Sequence, residues 1–205
     1  KSGLNTGVIG TNGVFYNDYE GKTINTTPES YELHKTIREM VDAGVKCVAM
    51  EVSSGGLMME RVNHVDFDIG IYTNLSPDHI GPKEHPTFED YRDCKSRLFS
   101  LCRHGIINID DDHASYMIDK ATCDIETFSI KKPSDYKAED ISLTRTKTSL
   151  GVDFKYIRDG QASQTHIASP GEFSVYNALA VIATANYLGI DKDKMLSALA
   201  TAQVD

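Results

Sequence analysis

No stretch of the 205 residues stays apolar over the roughly eighteen positions that a membrane-spanning helix needs. No membrane association is expected. The opening KSGLNTGVIG has no apolar core of the kind a secretory signal carries. It begins on Lys1 rather than an initiator methionine, as a trimmed or excised domain would. Basic charge is scarce: 21 Lys and Arg stand against 30 Asp and Glu, a net charge of −9. That balance argues against nucleic acid as the main partner, while leaving room for a local basic pocket. Cys47, Cys94, Cys102 and Cys123 form no CxxC pair and no zinc spacing, so they read as reduced thiols. Internal repeats and low-complexity linkers are missing too. An apolar content of 40% and a charged content of 25% remain, as in an ordinary globular domain. The length suits one full domain and part of a second.

One further absence carries more information. The stretch TGVIGTNGVFYND (residues 6 to 18) starts like a phosphate-binding loop. Such a loop continues into Gly-Lys-Ser/Thr, whose lysine reaches the terminal phosphates and whose hydroxyl holds Mg²⁺. Here GTNG runs into Val14 and Phe15, which do neither.

What is present is an alternation of strands and helices. TGVIGT (6 to 11) reads as a short buried strand. A helix follows, with Thr27 as N-cap, Pro28 at its first position, an apolar face of Leu33, Ile37, Met40 and Val41, and Gly44 as its stop. The apolar runs VKCVAMEV (45 to 52), FDIGIYTNL (67 to 75), GIINID (105 to 110) and CDIETFSI (123 to 130) read as parallel strands. TFEDYRDCKSRLFSLC (87 to 102) reads as a helix capped by Thr87. Residues 137 to 168 read as a small antiparallel sheet attached to the main one. RDGQ is its hairpin turn, and Tyr156 and Ile157 compete for the inner face. Two helices separated at Gly189, the second capped by Asp191, lead to TAQVD, where the chain stops as at a domain cut. The expected class is α/β, a mostly parallel sheet flanked by helices with a small antiparallel sheet appended.

In parallel α/β sheets ligands bind outside the carboxyl ends of the strands. Glu51 ends one strand and His79, in NLSPDHIG, follows another. A carboxylate and an imidazole so placed could share a metal. The same residues also suit a solvated strand end and, through Ser76 and Asp78, a turn.

NTTPES, MEVSSGGL, RVNHVDFDIGIYTNLSPDHIG, FEDYRDCKSRLF and FSVYNALAVIA occur in the order found in the Mur ligases. The chain resembles that family along its whole length, and within it the members that add the third residue of the peptidoglycan peptide. The resemblance implies a central ATP-binding domain with a P-loop NTPase-like fold, spanning residues 1–205. Its first strand, its true P-loop and its first helix would lie upstream, so GTNG is a different loop. The amino-terminal uridine-binding domain and the carboxyl-terminal domain would lie outside the chain, leaving this piece inactive alone.

The implied reaction is amide ligation through an acyl phosphate. ATP activates a carboxylate of UDP-MurNAc-L-Ala-D-Glu, and a diamino acid, meso-diaminopimelate or L-lysine, attacks it. The implied cofactors are ATP and Mg²⁺, the partners small molecules, the state a monomer and the location the cytoplasm. By resemblance Glu51, His79 and a carbamylated Lys95 form the catalytic and metal set. Thr26, Thr27, Ser53 and Arg61 hold the UDP-MurNAc-dipeptide, and Asn177 lies near the nucleotide base. Taken without the resemblance, Lys95 is a solvated helix lysine, Thr27 a helix cap and Asn177 a polar residue of a first helical turn. The chain departs from many relatives at Gly55, Met59 and Ser174. A folylpolyglutamate synthase-like ligase and a non-catalytic domain of the same fold are the other readings. The first would carry its own substrate loops in place of NTTPES, and the second would have lost Glu51, His79 or Lys95.

Overall fold

A computed structural model describes residues 3–78, 80–81, 84–145 and 150–202. The chain enters β1 (Thr6–Gly10) and turns at once into β2 (Gly13–Tyr16) and β3 (Tyr19–Gly21). Gly10 pairs with Gly13 and Tyr16 with Tyr19. GTNG is therefore the turn of a hairpin. Gly13 has φ 128°, and a Cβ there would lie 2.3 Å from the Gly21 carbonyl oxygen, so only glycine fits.

Helix α1 (Ser30–Asp42) starts later than expected, with Glu29 rather than Thr27 at its N-cap. The Thr27 hydroxyl instead donates to the Glu51 carbonyl at 3.0 Å, so a long-range bond displaces the cap. Leu33 and Met40 of the expected apolar face are buried, whereas Val41 is 50% exposed. Gly44, at φ 80°, follows the helix end as expected. Next come β4 (Cys47–Met50), the short α2 (Ser54–Met58), β5 (Phe67–Tyr72) and α3 (Phe88–Ser96). Thr87 caps α3, accepting from the Asp90 amide at 3.1 Å. A 3₁₀ turn (Arg97–Ser100) ends that helix, and Cys102 opens β6 (Cys102–Asn108) instead of closing the helix. After β6 come α4 (Ala114–Lys120), β7 (Asp124–Ser129), β8 (Tyr136–Arg145), β9 (Leu150–Arg158), β10 (Gln161–Ile167), α5 (Glu172–Tyr187) and α6 (Lys192–Thr201). Asp191 caps α6 as expected, accepting from the Lys194 amide at 3.0 Å.

These elements form two compact units. One comprises residues 3–67 and 76–101. Its sheet has the order β3-β2-β1-β4, with β4 parallel to β1 from Thr6 opposite Cys47 to Ile9 opposite Met50. Ile9, Leu33, Met40, Leu57, Val62 and Cys94 are buried together in its core.

The other comprises residues 68–75 and the chain from Cys102 onward. Its sheet has the order β10-β9-β8-β7-β6-β5. Strand β7 is parallel to β6 and to β8, and β9 and β10 extend the sheet antiparallel. The expected antiparallel strands are thus continuous with the parallel ones. Val152, Phe154 and Tyr156 are all buried, so the period of two selects Tyr156 over Ile157 for the inner face. Helix α5 buries Val175, Leu179, Ile182 and Ala183 in the same core as Phe128 and Phe154. Among the described residues no helix is long and apolar enough to cross a membrane.

Candidate active site

Glu51 sits one residue past β4, where its amide donates to the Ile9 carbonyl at 2.9 Å. That bond continues the parallel ladder and sets the side chain at the carboxyl end of the strand, against the turn that follows β1. Its Oε2 accepts from the Thr11 hydroxyl at 2.8 Å and, more weakly, from the Thr11 amide at 3.4 Å. Its Oε1 lies over Gly10, where a Cβ would stand 2.6 Å away. Among the described residues no hydrogen-bond donor reaches Oε1.

Four residues assigned to substrate by resemblance join this carboxylate in one network. Thr26 shares a 3.0 Å hydroxyl–hydroxyl bond with Thr11. Thr27, fully buried, donates to the Glu51 carbonyl and accepts from the Ser53 amide at 2.9 Å and the Ser53 hydroxyl at 3.1 Å. The Thr27 hydroxyl is thereby saturated, and its role in this arrangement is to hold the loop after β4. Ser53 in turn caps α2, accepting from the Gly56 amide at 3.0 Å. Arg61 donates to the Thr27 carbonyl at 3.2 Å and pairs with Glu29 at 2.6 Å, while its Nε is buried without a hydrogen-bond partner. Only 16% of that side chain is exposed, so a guanidinium is held nearly dry between Thr27 and Glu29.

Lys95 is brought to the same loop. Its Nζ donates to the Val52 carbonyl at 3.2 Å, and the neighbouring Cys94 thiol donates to the Ser54 carbonyl at 3.1 Å. Helix α3 is fastened in this way along the segment after Glu51. Burial lowers the Lys95 amine below its ordinary value, against the opposing pull of Cys94 and Glu51. A lowered amine is more often neutral, and the neutral amine is the form that takes up CO₂.

Among the described residues no group of three or more His, Cys, Asp or Glu side chains is placed to hold a metal ion. Mg²⁺ usually needs only one or two carboxylates, its other sites going to water and phosphate oxygens. Glu51 offers one carboxylate oxygen that meets no protein donor, and a carbamate on Lys95 would add a second anionic group. The residues present fit the ion.

His79 lies outside the described residues. Asn177 belongs to the other unit, exposed on α5. Next to it Tyr176 donates to Asp110 at 2.9 Å, and the Ser174 hydroxyl donates to the Pro170 carbonyl at 2.9 Å. At Gly55 a Cβ would meet nothing within 4 Å, so the backbone there does not demand glycine. Met59 is 61% exposed. Thr11 and Glu29 were not anticipated. The only signals for them were a hydroxyl in GTNG at a strand end and a carboxylate in NTTPES.

A family model described as the Mur ligase middle domain matches residues 1–185. The chain belongs to the Mur ligase family. It is 40% identical over 197 residues to the UDP-N-acetylmuramoyl-L-alanyl-D-glutamate–2,6-diaminopimelate ligase 2 of Clostridium acetobutylicum, covering 95% of this chain and 40% of that protein. It is also 40% identical over 204 residues to the ligase of that kind from Clostridium perfringens, covering 97% of this chain and 41% of that protein. A solved structure of a UDP-N-acetylmuramoyl-L-alanyl-D-glutamate–2,6-diaminopimelate ligase superposes with a TM-score of 0.88 at 26% identity, over 98% of this chain and 41% of that one. The chain thus spans about two fifths of the length of these Mur ligases.

Proposed function

We propose that this chain is the central, ATP-using part of a cytoplasmic, monomeric Mur ligase. The ligase joins 2,6-diaminopimelate to UDP-MurNAc-L-Ala-D-Glu. The names of relatives at 40% identity favour that amine over L-lysine. The phosphate-binding loop and the flanking domains belong to the rest of that protein. The substrate carboxylate attacks the terminal phosphorus of ATP and ADP leaves. The amine then attacks the acyl phosphate, and phosphate leaves with loss of a proton from the new amide.

The single observation that carries this reading is Lys95, a lysine with a lowered amine held against the segment that follows Glu51. Glu51 and a carbamylated Lys95 would hold Mg²⁺, with His79 at a second site. Bound Mg²⁺ supplies charge neutralisation for the phosphates. Arg61, kept dry and oriented by the Thr27 carbonyl, is the cation for the acidic substrate, with Thr26, Thr27 and Ser53 shaping its surroundings. Asn177 serves the nucleotide base.

Lys95→Ala in the full-length ligase tests the reading by coupled ADP release. We expect loss on the order of a thousandfold, equivalent to about 4 kcal/mol of barrier, with partial recovery on adding acetate, which returns the missing anion. Activity equal to the parent enzyme would overturn it.

A further inference from the structure

GTNG is not needed for phosphate in the reading above, yet its Thr11 makes two side-chain bonds to distant residues. We infer that Thr11 is the positioning residue of Glu51, the group that aims the carboxylate and ties it to Thr26. This rests on the proposed role of Glu51.

Thr11 is exposed, so water could satisfy its hydroxyl at no cost, and a net gain of about 1 kcal/mol is all that folding draws from such a bond. The geometry is nevertheless specific. The hydroxyl has one proton, and it goes to Glu51 Oε2 at 2.8 Å. In the 3.0 Å contact with Thr26, Thr26 must then be the donor. The chain of protons runs Thr26 to Thr11 to Glu51. Two consequences follow. Oε2 is occupied, and Oε1, lying over Gly10, is the oxygen left for a cation. Thr26 has given away its proton, so towards a ligand it presents lone pairs. It would therefore accept an N–H or O–H, not donate to a carboxylate. Gly10 belongs to the same device, because a side chain 2.6 Å from Oε1 would push the carboxylate off its seat.

The test uses Thr11→Val, Thr11→Ser and Glu51→Gln in the full-length ligase. It has two readouts: the Glu51 side-chain position in a crystal structure of each variant, and the Mg²⁺ concentration for half-maximal activity. Valine keeps the shape and removes the proton. In Thr11→Val we expect Glu51 to leave Gly10, and the Mg²⁺ requirement to rise about tenfold (about 1.4 kcal/mol), with kcat recovering at high Mg²⁺. Thr11→Ser should restore both. Should Thr11→Val not fold, Thr11→Ser with Gly10→Ala decides: serine keeps Glu51 in place and alanine displaces it. An unmoved Glu51 and an unchanged Mg²⁺ requirement in Thr11→Val, beside an inactive Glu51→Gln, would overturn the role of Thr11 alone. An active Glu51→Gln would overturn the functional reading and this inference with it.

Discussion

Two carboxylates stand just past the carboxyl ends of strands, one in each unit, and their surroundings differ. Asp110 follows β6 and accepts from four donors: the Ser129 hydroxyl at 2.8 Å, the Ile130 amide at 2.7 Å, the Lys131 amide at 3.0 Å and the Tyr176 hydroxyl at 2.9 Å. Glu51 follows β4 and, among the described residues, receives its side-chain donors from Thr11 alone, all on one oxygen. Both oxygens of Asp110 are engaged, Oδ1 by one donor and Oδ2 by three, and its bonds join β6, the loop after β7 and α5. Glu51 keeps an oxygen open beside a half-buried lysine. Position at a strand end does not by itself distinguish Glu51, with its proposed role, from Asp110. The number of donors already committed does.

Exchanging each acid for its amide sharpens this contrast. Glu51→Gln should abolish ligation, by about a thousandfold or several kcal/mol of transition-state stabilisation, with the thermal midpoint unchanged. A large drop in that midpoint with activity intact would reverse the assignment. Asp110→Asn should do the opposite. It places an NH₂ among donors and leaves at least one without an acceptor, at a cost of about 2 kcal/mol in urea unfolding of this chain.

The donors of Asp110 also make stability depend on pH. Burial works to raise the Asp110 carboxyl, but the donors from Ser129, Ile130, Tyr176 and Lys131 outweigh it and hold the group below its ordinary value of 3.8. A depressed carboxyl contributes stability that is fully present above that ordinary value and is lost as pH falls through the folded one. The parent chain should therefore lose stability in that window more steeply than Asp110→Asn. Parallel acid limbs in urea titrations would contradict this. Tyr176→Phe removes one donor of the four and should cost least, about 1 kcal/mol, and it should flatten the acid limb less than Asp110→Asn does.

The helices α5 and α6 and the alternating strand β9 were legible from the residues, and the parallel strands from their apolar runs. The inner-face choice in β9 needed only continued alternation to reach Tyr156. Short elements were not. Helix α2 is five residues containing Gly55 and Gly56, and strands β2 and β3 are four and three residues long, too short for a period to show. The start of α1 was misplaced for a tertiary reason, since the Thr27 hydroxyl that propensity assigns to a cap is taken by Glu51 and Ser53. Glu51 could be suspected from its strand end, whereas Thr26, Ser53, Arg61 and Lys95 came from resemblance. The bond that sets Lys95 apart from a solvated helix lysine goes to the Val52 carbonyl, more than forty residues away in the chain.

The central claim is that burial prepares Lys95 to become an anion. ¹³C-bicarbonate labelling followed by carbon NMR tests it most directly, on the full-length ligase with Mg²⁺ and nucleotide and on the 205-residue chain alone. A lysine carbamate signal that is strong in the first, weak in the second and absent in Lys95→Ala is predicted. A full-length enzyme that ligates with no such signal, or with one that survives Lys95→Ala, would contradict the account.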